Sequence, residues 1–140
     1  MKEDTTLGET LPNEGDMIFL NLSHHPIKEW EDKQVTAAHL LGQHDRLVDL
    51  AFPHVNPTLS KDEVFVLAHN FWRKAQQEFK QKGQTPKHAL VAGEPIMCFA
   101  LVQLLKKHGI ECYAATTKRE SHYEGEHKVS KFKFVRFRAW

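Results

Sequence analysis

Four short apolar runs, each ending abruptly in polar or cationic residues, set the strongest limit on how this chain can fold. The runs occupy residues 18–22, 47–51, 89–92 and 112–115. Stretches with the apolar spacing of helices separate them, so the chain reads as βαβαβαβ. That order predicts an α/β, Rossmann-like domain with three layers and a mostly parallel sheet.

Three helices are expected between the strands, over residues 27–43, 60–83 and 94–109. Ser60 and Glu63 have the spacing of a capping box before the second helix. Apolar and aromatic residues recur along that helix at helical spacing, which is typical of a core face and leaves a partner surface as the alternative. The residues predicted to be buried in the first helix are Trp30, Val35, Ala38, Leu40 and Leu41.

A fifth strand is predicted over residues 131–138, pairing antiparallel with the fourth at an edge of the sheet. Its alternation slips at Phe134 and Val135, which predicts a bulge or burial on both faces there. Its four cations are interpreted as protection of an edge strand, with a nucleic-acid surface as the alternative. A polar loop over residues 120–128 is expected to join the two strands. That loop, with Gly125 as a hinge, is also a candidate lid over a ligand.

The length of 140 residues favours one domain, with residues 1–16 as a disordered leader and 17–140 as the folded part. The formal net charge of +1 gives no global attraction to nucleic acid or to an anionic membrane. Any preference for anions must therefore be local. No apolar run reaches the roughly 18 residues that span a bilayer, so we expect a soluble, cytoplasmic protein with no membrane partner.

Neither a metal nor a cofactor is expected. The ten histidines are scattered, without the spacing of a metal site, and no glycine-rich dinucleotide or P-loop motif is present. The two cysteines, Cys98 and Cys112, lie in apolar surroundings and are interpreted as buried free thiols rather than a disulfide.

The polar residues that follow the strands are the candidate site, because the carboxyl ends of parallel strands meet at one edge of a sheet and ligands bind beyond them. The residues expected there are Ser23, His24, His25, Gly93, Glu94, Thr116, Thr117, Lys118 and Arg119. His54, at the end of the second strand, and His122 and His127, in the predicted loop, are candidates at the rim. Hydroxyls, imidazoles and cations together suit a phosphorylated ligand.

Each element of this site has its own chemistry. In segment 116–119, hydroxyls and an arginine fork can bind phosphate oxygens. Ser23 and His24 can bind phosphate, orient a ribose or donate a proton. Gly93 permits close approach of a ligand to the backbone. Glu94 can accept a hydrogen bond, act as a general base, pair with the arginine or simply occupy the N-terminus of the third helix.

Three motifs resemble small Rossmann-like proteins of type III CRISPR loci. They are Asn-Leu-Ser-His-His-Pro at 21–26, Gly-Glu at 93–94, and Ala-Thr-Thr-Lys-Arg at 115–119 followed by Phe-Lys-Phe-Val-Arg-Phe-Arg at 132–138. That set includes ring nucleases, which degrade a cyclic oligoadenylate second messenger. The resemblance spans residues 17–140.

The resemblance implies a homodimer that binds a cyclic oligoadenylate, cyclic tetra-adenylate foremost, across its two-fold axis. It implies cleavage without metal, by attack of a ribose 2′-hydroxyl that leaves 2′,3′-cyclic phosphate ends. The catalytic residues would be His24, Glu94, Lys118 and Arg119. The ligand-binding residues would be Ser23, His25, His54, Gly93, Thr116, Thr117 and His122.

This sequence departs from the ring-nuclease pattern, because His-His rather than one basic residue follows Ser23, and the general acid stays open. A two-fold dimer would present the same patch twice to a ring of identical nucleotides. One alternative is a sensor that binds the ring without cutting it, and another is an adaptor that docks a protein through its second helix. DNA is not an expected partner. A metal-dependent nuclease is disfavoured because Asp49 is expected inside its strand.

Overall fold

The computed structural model describes residues 15–140. The predicted leader lies outside them except for its last two residues, and Asp16 already belongs to the first strand. The strands are β1 (Asp16–Leu22), β2 (Arg46–Asp49), β3 (Gln84–Val91), β4 (Glu111–Glu124) and β5 (His127–Ala139). The helices are α1 (Asp32–Leu40), α2 (Lys61–Gln81) and α3 (Pro95–Lys107), with a 3₁₀ turn at Ile27–Glu29.

The five strands form one sheet in the order β2-β1-β3-β4-β5. The first four are parallel, and β5 is antiparallel to β4 at the edge. The predicted α/β, Rossmann-like architecture is therefore confirmed. In this order the direction of winding reverses between β1 and β3, which is the place where such sheets bind ligands.

The alternation of β1 divides the core into two layers. Ile18, Leu20 and Leu22 pack with α2 and α3 on one face of the sheet. Phe19 packs with Ala38 of α1 on the other. All four β1 side chains are fully buried, as expected for a central strand that is covered on both faces.

The second helix begins as the sequence predicts. The Ser60 hydroxyl accepts a hydrogen bond from the Glu63 amide at 3.2 Å, and the Ser60 amide donates to the Glu63 carboxylate at 2.8 Å. The buried residues of α2 are Val64, Ala68, Trp72, Ala75 and Phe79. The aromatic stripe therefore belongs to the core, which confirms the core interpretation.

The prediction of one continuous first helix is wrong. After the 3₁₀ turn, Trp30 and Glu31 are extended, with ψ angles of 147° and 153°, and α1 begins only at Asp32. Trp30 is drawn into the core layer under α1, and the Glu31 carboxylate accepts a hydrogen bond from the Phe134 amide at 2.8 Å. Leu40, predicted to be buried, is 81% exposed.

Strands β4 and β5 continue far beyond the rest of the sheet. Strand β3 pairs with β4 only as far as Tyr113, after which β4 pairs with β5 alone. We call residues 114–138 the arm. Its register shifts where Thr116 faces Arg136 and Thr117 faces Phe134, which confirms the predicted bulge at Val135.

The predicted loop and lid at residues 120–128 are wrong, because β4 runs to Glu124 and a two-residue turn joins it to β5. Gly125 takes the positive φ of 64° in that turn. Solvent covers both faces of this part of the arm, so no alternation of apolar and polar residues marks it as a strand. Within residues 15–140, no helix is long and apolar enough to cross a membrane.

Candidate functional site at the carboxyl edge of the sheet

The crevice between β1 and β3 brings together two of the predicted segments. Ser23, His24 and His25 follow β1, and Gly93 and Glu94 follow β3. The two strands are hydrogen-bonded neighbours up to Leu22 and Val91, so the segments leave the sheet side by side.

Phe52, which the sequence did not single out, lies across this crevice. Its ring is 5.3 Å from the His24 ring, between centroids, and its amide donates to the Ser23 carbonyl at 3.4 Å. A Cβ atom at Gly93 would stand 2.4 Å from the Phe52 ring. The missing side chain of Gly93 therefore makes room for a phenylalanine of the same chain.

The Ser23 hydroxyl is engaged within the fold. It donates to the Asn21 side-chain oxygen at 2.7 Å and accepts from the His25 amide at 3.1 Å. The Asn21 amide group in turn donates to the Asp49 carboxylate and to the His25 carbonyl, both at 2.8 Å. Asp49 ends β2 rather than lying inside it, and also accepts from the Ile27 amide at 3.1 Å. This network fixes the loop that presents His24.

Asn21 and Asp49 are thus positioning residues that sequence reasoning missed. Asn21 is 1% exposed, and its position as the one polar residue in the apolar run 18–22 was the available signal.

Glu94 occupies the N-cap position of α3. One of its carboxylate oxygens accepts a hydrogen bond from the Met97 amide at 2.7 Å. Of the roles considered for Glu94, helix capping is the one that has a contact here.

The histidines at this edge stand in the solvent. His24 is exposed above Phe52, and His25 is half-exposed with Nδ1 3.5 Å from the Glu29 carboxylate. His54 is exposed two residues beyond Phe52. His122 lies away from the crevice near the tip of the arm, where Nε2 is 3.0 Å from the Glu124 carboxylate.

The segment 116–119 lies inside β4 and not after its end. The Thr116 hydroxyl donates to the Arg136 carbonyl at 3.0 Å and accepts from the Arg136 amide at 3.2 Å. Thr117 and Arg119 project from the face of the arm that carries the buried Phe134, on the side of α1. Lys118 projects from the opposite face because neighbouring side chains of a strand alternate.

The two cations of this segment therefore point in opposite directions. Lys118 shares with His24 the α2 and α3 side of the sheet, since His24 contacts Phe52, a member of that core layer. The Arg119 guanidinium lies 3.3 to 3.4 Å from the Ser130 hydroxyl on the other side.

The two cysteines are free and buried, as predicted. Burial raises the pKa of the Cys98 and Cys112 thiols to about 11. Neither is a nucleophile near neutral pH. Among residues 15–140, no group of three or more His, Cys, Asp or Glu side chains is arranged to hold a metal ion.

A histidine pair lies at the opposite end of the sheet, near the amino ends of the parallel strands, in a cavity of about 440 Å³. His44 Nε2 is 2.7 Å from His88 Nδ1, and His88 Nε2 is 3.6 Å from the Glu111 carboxylate. Burial, and then the neighbouring His88 and His39, lower the pKa of His44. Nothing in the sequence pattern predicted this pair.

Comparison with families of known proteins gives a match over most of the chain. A family model described as "Uncharacterized protein MJ1673 family" matches residues 17–138. None of the curated proteins and none of the solved structures matches the chain.

Proposed function

Since the chain belongs to the uncharacterized MJ1673 family, whose description names no activity, we propose a function from its own residues: a metal-independent phosphodiesterase that opens a cyclic oligoadenylate. The observation that carries the proposal is the exposed His24 at the β1–β3 crevice, on the same side of the sheet as Lys118. An imidazole can transfer a proton at one phosphate, and a fixed cation can hold another.

The spacing of these two residues supports a ligand larger than a mononucleotide. Strands β1 and β4 are separated by β3, so they lie two strand spacings apart, about 10 Å. One phosphate group does not span that distance, whereas successive phosphates of an oligonucleotide do. The cationic arm beside the crevice would attract such a ligand.

In the proposed reaction, a ribose 2′-hydroxyl attacks the adjacent phosphorus. The new O2′–P bond forms as the P–O5′ bond breaks and the 2′-hydroxyl proton passes to water, leaving a 2′,3′-cyclic phosphate and a 5′-hydroxyl. His24 gives a proton to the departing 5′-oxygen, and Lys118, about 10 Å away, binds a neighbouring phosphate and so holds the ring in place. Arg119 projects from the other face of the arm and does not share that phosphate in this scheme.

The network beneath the site would serve to hold His24 in place. Asn21, Asp49 and the Ser23 hydroxyl fix the loop, and Phe52 supports the imidazole ring. Each is a positioning residue in the proposal, because each acts through His24.

The resemblance to ring nucleases of type III CRISPR loci supports the choice of substrate. We propose a homodimer that places two copies of this edge around the two-fold axis of cyclic tetra-adenylate. We also propose a cytoplasmic location, where two buried thiols would stay reduced.

The test incubates the protein with cyclic tri-, tetra- and hexa-adenylate in excess chelator and resolves the products by chromatography and mass. A linear product with a 2′,3′-cyclic phosphate end is expected. His24→Ala should lower turnover about 100-fold or more, and Lys118→Ala should weaken binding of the ring about tenfold. Lys74→Ala, which removes an exposed cation from α2, is the matched control. Unchanged turnover in His24→Ala would overturn the assignment.

A sensor that binds the ring without cutting it is the second candidate. The observation in its favour is that the Ser23 and Thr116 hydroxyls and one Glu94 oxygen are already hydrogen-bonded within the fold. These engaged groups are poorly placed to take up or give a proton, whereas the exposed imidazoles and cations can still bind the ring. Recovery of intact ring that comigrates with the protein would identify the sensor.

A further inference from the structure

One face of the arm combines exposed aromatic rings, cations and hydroxyls. We call it the aromatic face, and its residues are Arg119, Ser121, Tyr123, Lys128, Ser130 and Phe132. They share a face because they are directly opposed across the two strands: Arg119 with Phe132, Ser121 with Ser130, and Tyr123 with Lys128. The contact of 2.8 Å between the two serine hydroxyls confirms that arrangement.

The two rings of the aromatic face are open to solvent. Tyr123 is 71% exposed and Phe132 is 66% exposed, although Phe134, two residues further along β5, is buried under α1. Phe132 faces Arg119, and Tyr123 is four residues beyond Arg119, so the rings lie about 13 Å apart along the arm. They are too far apart to cover each other.

Charge is segregated between the arm and the rest of the molecule. Residues 114–138 contain seven lysines and arginines against three glutamates, while the remaining residues contain 12 against 15 Asp and Glu. None of the three glutamates lies on the aromatic face: Glu120 and Glu124 alternate to the opposite face, and Glu126 is in the turn. A face with cations and no carboxylate is complementary to a polyanion.

We propose that the aromatic face binds single-stranded nucleic acid, independently of the cleavage reaction proposed above. Two bases stack on Phe132 and Tyr123, and the Arg119 and Lys128 side chains contact the phosphates beside them. Aromatic rings among cations are the usual platform for single strands, because every base has a stackable face. A duplex keeps its base faces stacked inside and cannot use the two rings.

A second copy of the chain is a poorer occupant of this face. Two aromatic faces brought together would oppose cations with cations, and this face has no carboxylate to offset them.

The test measures the fluorescence anisotropy of labelled 12-mers of mixed sequence, one RNA and one DNA, each single-stranded and as a duplex. Single strands should bind more tightly than duplexes. Tyr123→Ala and Phe132→Ala should each weaken binding about tenfold. Tyr123→Phe should retain binding. Phe99→Ala, at a ring 53% exposed on α3, is the matched control and should change nothing.

The cations supply a second measurement. Arg119→Gln and Lys128→Gln should each reduce the salt dependence of binding by roughly one counterion, whereas the aromatic substitutions should leave that dependence unchanged. Comparison of the RNA and DNA strands shows which of the two nucleic acids this face binds more tightly.

Three results would overturn the proposal. The first is equal binding by the wild type and the Tyr123→Ala/Phe132→Ala double variant, and the second is binding of duplexes as tight as that of single strands. The third is a loss of self-association in the double variant, measured by sedimentation. Turnover of cyclic oligoadenylate is read separately on His24→Ala. A failure of the reaction and a failure of this surface are therefore distinguishable.

Discussion

At the scale of single residues, the crevice is shaped by the contact between Phe52 and Gly93. A glycine after a strand of an α/β sheet suggests close approach of a ligand, but here a ring of the same chain takes the space. The ring also supports His24 from below. The Phe52 ring can fill this space and support His24 only because Gly93 has no Cβ atom.

We therefore expect Gly93→Ala to lower the free energy of unfolding by about 1–3 kcal/mol, because the added Cβ would stand 2.4 Å from the Phe52 ring. Phe52→Leu should remove part of that clash. A double-mutant cycle by urea denaturation would then give a favourable coupling between the two substitutions. Strictly additive effects would show that the ring and the glycine are independent.

The residues beyond the strands could be located from the sequence, but their bonding could not. Ser23 and Glu94 stand at the predicted edge, since each follows an apolar run. Asn21, which accepts the hydrogen bond from Ser23, is itself bonded to Asp49, 28 residues further along the chain. The contact between Phe52 and His24 also joins residues that are distant in the sequence. No local pattern encodes such contacts.

At the scale of elements, α3 begins at a carboxylate that has two possible roles. Glu94 accepts a hydrogen bond from the Met97 amide, as an N-cap does, and it follows β3, the neighbour of the strand that His24 follows. Stability and turnover separate these roles, because a helix cap can be supplied by another side chain.

Glu94→Ala should cost about 1 kcal/mol of unfolding free energy, and Glu94→Ser should restore it, since a serine hydroxyl also caps. Urea denaturation measures both. If Glu94 only caps, Glu94→Ser should retain the turnover of cyclic oligoadenylate. A stable Glu94→Ser variant without turnover would instead assign Glu94 to the chemistry.

The elements differ in how far the sequence predicted them. The cap of α2 and the bulge at Val135 were predictable because both are set by neighbouring residues. The arm was not, since solvent lies on both of its faces and removes the alternation that marks a half-buried strand. The break before α1 could not be predicted, because the residues at the break have distant partners: the Glu31 carboxylate accepts a hydrogen bond from the Phe134 amide, 103 positions away.

At the scale of the whole molecule, the two edges of the sheet have different chemistry. The carboxyl edge carries the exposed histidines and the arm. The opposite edge carries the His44–His88 pair, in which His44 Nδ1 is buried without a hydrogen-bond partner in the described part of the chain.

The lowered pKa of His44 predicts acid sensitivity. At a pH below 6.5, the ordinary pKa of histidine, His44 takes up a proton in the unfolded chain more readily than in the folded protein. The free energy of unfolding should therefore fall as the pH drops from 7 towards 5. His44→Asn should flatten this slope in urea denaturation measured across that range. Asn70→Ala, at an exposed side chain of α2 that does not titrate, should leave the slope unchanged.

The bond between the Phe134 amide and Glu31 joins the beginning of the fold to a residue that is synthesised near its end. During synthesis, β1, α1 and α2 emerge long before Phe134 and Phe137, the two rings of β5 that complete the core layer under α1. A nascent chain that has reached α3 would bury one side of its sheet and leave Phe19 and Trp30 without their late neighbours. That half-covered sheet is the species in which we expect chaperones to engage the chain.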